Sequence, residues 1–402
     1  MDTVNNAKNE DTITSTQPNN YHKSSVRAPT VMQVLPRLVT GGVERGTVDI
    51  AGAIVEGGGR SIVVSAGGPM VQELKRLGAE HYELPVDSKN PIIMRQNIKQ
   101  LMKIAKHQQV DIIHARSRAP AWSAWYAARK CNIFFVTTFH GTYGHSNWFK
   151  RRYNAVMTKG DRIIAISNFI AGHILRIYGI PATKIRVIPR GIDIEKFSPN
   201  KVSQERRIKL ADQWRLPDDK PIIILPGRLT RWKGHIVFIE AIKKLERKNI
   251  QCLIVGSDQD RNDYKHELER QIENHGMQEL IHVVGHCDDM PAAYMLADIV
   301  VSASIEPEAF GRVVVEAQAL GRLVVATDHG GTQETIENGS TGWLIKPNDA
   351  NAMAEILKTL LSCTREERKK ISTLAIQHIS NNFSKEEMCE KTIKLYKSMV
   401  SN

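Results

Sequence analysis

Short apolar runs rich in Val and Ile alternate with longer segments whose apolar positions recur every three or four residues, and the alternation continues along nearly the whole chain. The short runs predict strands and the longer period predicts helices. Their regular succession predicts parallel sheets covered by helices. In the first half, strands are expected over residues 31–35, 61–65, 111–114, 134–139, 162–166 and 185–188, and helices over 43–55, 70–77, 91–106, 120–128, 147–159 and 168–178. A polar stretch, 200–220, follows the segment PRGIDIEKFSP, and the alternation then restarts. Strands are expected over 222–225, 251–255, 281–284, 298–302 and 323–326. Helices are expected over 235–247, 264–275, 290–295, 312–320 and 351–361, and a last amphipathic piece covers 385–398 after a further helix.

This pattern divides the chain into a tail (1–27), an N-terminal α/β domain (28–200), a second α/β domain (201–384) and a closing helix (385–402). In open parallel sheets ligands sit beyond the carboxyl ends of the strands, so two facing domains place the expected site in the cleft between them. The tail is polar, rich in Asn, Thr and Ser and without an apolar signal core, and reads as disordered. No apolar run approaches the roughly 18 residues of a membrane-spanning helix. The five cysteines, at 131, 252, 287, 363 and 389, contain no C-x-x-C pair. A reduced, cytoplasmic protein without structural zinc is expected.

Charge changes the picture because it is one-sided. The chain carries a formal +12; residues 28–200 hold 24 Lys and Arg against 11 Asp and Glu, whereas 201–402 hold 28 against 29. The basic half suggests an anionic partner or an acidic membrane surface on that side. The segment NWFKRRY (147–153) interleaves aromatic residues with Lys150, Arg151 and Arg152 and suits the same contact, or a solvated helix face.

Candidate chemistry gathers where strands run into helices. In SIEPEAFGRVVVEAQALG, Glu308 sits on a loop and Glu316 one turn inside the following helix, with Ala309, Phe310 and Gly311 between loop and helix. Main-chain N–H groups at such a helix start are open to an anion, and a carboxylate can accept from both hydroxyls of a diol. IIILPGRLTRWKGH repeats the arrangement with Gly227, Arg228 and Lys233, whose charges suit a diphosphate. No Walker loop is present, because Gly234 follows Lys233. LPRLVTGGVERG offers the tight turn Gly41–Gly42 without a G-x-G-x-x-G fingerprint. His140 in TTFHGTYG, and Arg116 and Arg118 in DIIHARSRAP, end two further strands. Asp258 and Asp260 in GSDQD form an Asp-x-Asp that reads as a turn former more readily than as a metal site.

These motifs, in this order, resemble those of the family 4 retaining glycosyltransferases. EPEAFGRVVVEAQALG is similar to the family's E-x7-E signature, PGRLTRWKG to its G-R-x-x-x-x-K-G loop, LVTGGVER to its N-terminal glycine loop and VIPRGID to its linker strand. The resemblance implies a GT-B fold, two Rossmann-like domains about a cleft, with the last helix crossing back to the first domain. It assigns Arg228 and Lys233 to the diphosphate of a nucleotide-sugar donor and Glu316 to the ribose. Glu308, with the amides of Ala309, Phe310 and Gly311, would hold the transferred sugar. Gly42 would approach the phosphates, and His140 would lie at the reacting centre. Arg190 stands where the family usually has Asn, and Glu306 and Arg312 are additional charges beside the sugar pocket.

The implied reaction is retaining transfer from a nucleotide sugar to a glycan or lipid-linked acceptor in cell-envelope or lipopolysaccharide synthesis. Positive charge would stabilise the leaving diphosphate, so that no metal and no bound cofactor is needed. The expected place is the cytoplasm or the inner face of its membrane, with no nucleic-acid partner. A nucleotide-sugar 2-epimerase and a non-catalytic anionic-glycan binder are the alternatives. The first leaves the basic half without a use, and the second leaves Glu308, Glu316, Arg228 and Lys233 unexplained together.

Overall fold

A computed structural model of the 402-residue chain describes residues 28–39, 41–144, 147–258 and 262–401. The tail expected at 1–27 and the acid Asp260 lie outside the described residues.

The first half forms a sheet of β1 (Thr30–Val34), β2 (Arg60–Ser65), β3 (Glu80–Glu83), β4 (Ile112–Ala115), β5 (Phe134–Phe139), β6 (Arg162–Ala165) and β7 (Ile185–Val187). Its order is β3-β2-β1-β4-β5-β6-β7, and every pairing is parallel. Val31 in β1 faces Ser61 on one side and Ile112 on the other. The second half forms a parallel sheet of β8 (Ile222–Pro226), β9 (Gln251–Val255), β10 (Ile281–Gly285), β11 (Ile299–Ser302), β12 (Leu323–Thr327) and β13 (Trp343–Ile345), in the order β10-β9-β8-β11-β12-β13. Strands such as β8, β9 and β12 are buried along their whole length, which explains their continuous apolar sequences: helices cover both faces. The strand order reverses between β1 and β4 and again between β8 and β11. At such reversals adjacent loops part and leave a crevice.

Two departures from the sequence reading have clear causes. The short edge strands β3 and β13 were not expected, because β3 is half exposed and β13 is only three residues long. The polar stretch 200–220 contains the helix Gln204–Trp214, capped by Ser203, whose hydroxyl accepts from the Arg206 N–H at 3.3 Å. That helix buries only Leu210 and Trp214, too few positions to show a helical period. Arg206 is paired with Asp289 at 2.6 Å, which ties the helix to the second half.

The chain crosses between the halves twice, and the crossings run side by side. The Ile192 N–H donates to the Phe383 carbonyl at 2.9 Å and the Lys385 N–H to the Ile192 carbonyl at 2.8 Å. The closing helix, Lys385–Val400, then lies on the first sheet, with Leu395, Tyr396 and Met399 in one core with Val31, Ile112, Val136 and Ile164. The Tyr396 hydroxyl lies 2.6 Å from Nδ1 of buried His114, whose Nε2 lies 2.7 Å from the Thr138 hydroxyl. Among the described residues no helix is long and apolar enough to cross a membrane.

Candidate active site

The strand ends converge on one interdomain cleft of about 950 Å³, lined among others by His140, Gly227, Arg228, Lys233, Glu308 and Glu316. A more enclosed recess of about 290 Å³ adjoins it and shares His140, Arg190 and Glu316, adding Gly42 and Arg116. The two strand-order reversals bring these loops face to face.

On the second-half wall, the loop after β11 turns into the helix Arg312–Ala319 through Gly311, at φ 88°. A Cβ there would also come within 2.9 Å of Thr332 Cγ2, so the backbone itself demands glycine. The N–H groups of Phe310, Gly311 and Arg312 donate to no described main-chain carbonyl and remain available to an anion. Glu308 forms an ion pair with Lys233, and its Oε1 accepts from the Ser304 hydroxyl at 2.7 Å. Glu316 is 5% exposed; its Oε1 accepts from Arg312 Nε at 2.5 Å and its Oε2 from the Tyr294 hydroxyl at 3.0 Å. Burial and the Glu316 charge push the Tyr294 phenol well above its usual range, so it stays a donor. Glu316 is therefore no solvated helix acid. It lines the cleft as a braced carboxylate with lone pairs to spare.

Arg228 and Lys233 stand differently. Arg228 is exposed and its guanidinium has no hydrogen-bond or ion-pair partner among the described residues. The Lys233 stem runs beside Gly227, where a Cβ would sit 3.4 Å from Lys233 Cδ. Its ammonium lies 4.4 Å from the centre of the Trp232 ring. Among the described residues no three His, Cys, Asp or Glu side chains gather as metal ligands; Asp258 is described and Asp260 is not.

On the first-half wall, Arg190 Nη2 lies 2.9 Å from His140 Nδ1. A guanidinium can only donate, so His140 Nδ1 accepts and Nε2 carries the proton. Burial, then the charges of Arg190 and Arg116, hold His140 well below its ordinary pKa. His140 is thus a neutral hydrogen-bond donor, and its buried Nε2 has no partner among the described residues. Gly42 does not simply leave space for a phosphate: a Cβ there would fall 2.1 Å from Arg190 Nη1, so the glycine admits Arg190. Gly41 has the Glu44 carboxylate folded against it. The two arginines that follow β4 diverge. Arg118 lies over the Tyr143 ring at 4.5 Å and donates to Asn154 Oδ1 at 3.2 Å, whereas Arg116 is buried against the first turn of α1 (Gly42–Glu56). Lys150, Arg151 and Arg152 sit away from the cleft on the helix Trp148–Asn154, whose Trp148 and Phe149 are 64% and 76% exposed.

Sequence reasoning missed the contacts that hold the walls together. The Ser167 hydroxyl donates to the Ala309 carbonyl at 2.7 Å. Glu334 accepts from the N–H groups of Asn168 and Phe169, both at 2.7 Å, at the start of the helix Asn168–Tyr178. Ser167 was legible only as an ordinary helix cap, and nothing local marks Glu334 or Tyr294.

Comparison with known proteins agrees with this architecture. A family profile described as Glycosyltransferase Family 4 matches residues 40–196, and one described as Glycosyl transferases group 1 matches residues 206–378. The crystal structure of a glycosyltransferase from Rickettsia africae is 41% identical, with a TM-score of 0.86 over 93% of this chain and 99% of that one. A D-inositol 3-phosphate glycosyltransferase of Xylanimonas cellulosilytica is 28% identical over 274 residues, 63% of this chain and 64% of that protein. The putative colanic acid biosynthesis glycosyltransferase WcaL of Escherichia coli is 26% identical over 277 residues, 66% of this chain and 64% of that protein. The chain thus spans slightly under two thirds of the length of these two relatives.

Proposed function

Because this chain belongs to the family 4 glycosyltransferases, we propose that it transfers a hexose from a nucleotide sugar to a glycan or lipid-linked acceptor of the cell envelope, with retention at the anomeric carbon and without a metal. One observation carries the reading. A single cleft joins an unpaired guanidinium, an ammonium and open helix-start N–H groups to two carboxylates, Glu308 and Glu316. That set suits a ligand with a diphosphate at one end and hydroxyls at both flanks.

The chemical difficulty is the leaving diphosphate, which gains charge as the anomeric carbon becomes cationic. Arg228 and Lys233 supply positive potential where that charge develops. Lys233 leaves Glu308 for the phosphate, and Glu308 turns to the hydroxyls of the sugar. His140 donates from Nε2 to a sugar oxygen, and a donor phosphate oxygen takes the acceptor's proton during same-face attack. Glu316, braced by Arg312 and Tyr294, holds the ribose.

The name of the WcaL relative and the one-sided charge support an envelope glycan, with work done at the cytoplasmic face of a membrane. The exposed Trp148 and Phe149, with Lys150, Arg151 and Arg152 beside them, suit contact with anionic lipid headgroups. Thermal melts in a panel of nucleotide sugars test the donor reading. Stabilisation by one nucleotide class is expected, and none by any of them would overturn it.

A further inference from the structure

We infer that the enclosed recess behind the cleft is an oxyanion subsite in which Arg116 and Arg190 hold a phosphate or carboxylate carried by the acceptor. The inference rests on the transferase reading and adds the acceptor's chemical class to it. Arg116 is 3% exposed. Among the described residues its Nε is a buried donor without a hydrogen-bond partner, and no carboxylate lies within ion-pair distance of its guanidinium. Arg190 is similar: among the described residues its Nε is buried and unpartnered, and its one side-chain bond goes to the neutral ring of His140.

Among the described residues no acid touches these guanidiniums: Glu44 acts on both, and Asp49 on Arg116, only from beyond contact distance, and most of the acids face another cation. Glu73 pairs with Arg45, Glu316 with Arg312 and Asp193 with Lys385, while Asp49 lies 4.0 Å from Arg45. Glu44 folds back over Gly41 instead of reaching either arginine. Two guanidiniums in one recess, neither touched by a carboxylate, are costly to bury, and a chain that keeps them must recover that cost from something else. An oxyanion is the natural partner, since the planar guanidinium fork matches both phosphate and carboxylate.

Geometry adds to the charge argument. Gly42 and Gly46 lie one turn apart on the same face of α1. A Cβ on Gly42 would meet Arg190 Nη1 at 2.1 Å, and one on Gly46 would meet Arg116 Nη2 at 3.2 Å. Both forks therefore converge beside one helix turn. At about 290 Å³ the recess has room for roughly ten water molecules, enough for an anionic group and part of the sugar bearing it. Donor diphosphate is accounted for by Arg228 and Lys233 on the opposite wall, which leaves this subsite to the second substrate.

The test titrates inorganic phosphate and, separately, glucuronate into the full chain by calorimetry. Each titration is done alone and with saturating nucleoside diphosphate, chosen as whichever of UDP, GDP and ADP binds. Binding of at least one oxyanion is expected to persist with nucleotide present and to weaken about tenfold or more in Arg116→Met and Arg190→Met. Arg116→Met should keep its nucleotide affinity and melt no lower than wild type, since it removes a buried charge that no carboxylate touches; a structural arginine would do the opposite. Arg116→Lys should weaken oxyanion binding with the charge retained. The inference is overturned if neither oxyanion binds, if nucleotide displaces both, or if binding ignores both substitutions and so reflects an adventitious ion only. Failure of all three nucleotides to bind would count against the donor reading instead, and the titrations without nucleotide would still judge the recess.

Discussion

Lys233 and Glu308 neutralise one another at the cleft, with 13% and 15% of their side chains exposed. Ser304 donates to the same carboxylate. In the free protein, the lysine assigned to the diphosphate is therefore held by the acid assigned to the sugar. On the proposed reading, donor binding would exchange one pairing for two.

The pair should be visible in stability before any substrate is added. Lys233→Met strands a mostly buried carboxylate, which costs several kcal/mol at full burial. With Ser304 retained and some exposure to solvent, a loss of about 1–3 kcal/mol is expected. Lys233→Met combined with Glu308→Gln should recover most of that loss and remain inactive. Chemical denaturation of the two single variants and the double variant measures the coupling. Additive losses would show that the two side chains do not depend on each other.

Glu334 should hold the two halves closed. Its carboxylate receives two N–H groups from the opposite wall, charge-assisted bonds at a helix start. Losing about 1.5–3 kcal/mol from the closed state shifts closure by about 10- to 150-fold. Glu334→Ala is expected to enlarge the radius of gyration in solution scattering and to raise the donor KM. A scattering curve and KM identical to wild type would assign no closing role to this contact.

The period of apolar positions made the fold legible because both sheets are buried on both faces, so their strands read as continuous Val and Ile runs. The candidate loops were legible for a related reason: in this topology a ligand-facing loop follows a strand end, so Gly227, Arg228, Glu308 and His140 could be placed without coordinates. What stayed hidden depends on neighbours distant in sequence. Nothing near Glu316 announces Tyr294, 22 residues away, and nothing near His140 announces Arg190, 50 residues away. Gly42 looked like a phosphate-approach glycine, yet its missing Cβ makes room for a side chain from the far edge of the sheet. The helix Gln204–Trp214 escaped because its polar surface outweighs its two buried positions.

Stability should fall on mild acidification. Burial holds His81, His114, His140 and His235 below their ordinary pKa, with His235 at about 4. Each takes up a proton at a lower pH in the fold than in the unfolded chain, which does so below about pH 6.5, so their contribution is complete above that pH and is lost as pH falls toward the folded values. By pH 5 His235 alone forfeits roughly 2 kcal/mol. Asp49, raised to about 6 by burial, acts in the opposite sense and returns about 1 kcal/mol at pH 5. Thermal melts should therefore show a falling Tm from pH 7 to 5, and a flat or rising Tm would contradict the buried neutral histidines.

The basic half should bind anionic vesicles and release them as salt rises, since screening shortens the reach of surface charge to about 8 Å at physiological ionic strength. Co-sedimentation with phosphatidylglycerol vesicles at low salt is expected, with little on neutral phosphatidylcholine. It should be markedly lost when Lys150, Arg151 and Arg152 become Ser. Equal binding to both vesicle types, or none to either, would return the charge to a soluble acidic acceptor.

On the proposed mechanism, Arg228 and Lys233 stabilise a departing nucleoside diphosphate. The most direct measurement follows nucleoside diphosphate release from the binding nucleotide sugar, with acceptor and excess chelator present, in wild type and Arg228→Ala. Leaving-group charge is larger in the transition state than in bound donor, so kcat should fall about 10- to 100-fold while KM rises much less. Wild-type turnover in Arg228→Ala with only a raised KM, or wild-type activity that needs added magnesium or manganese, would contradict the account.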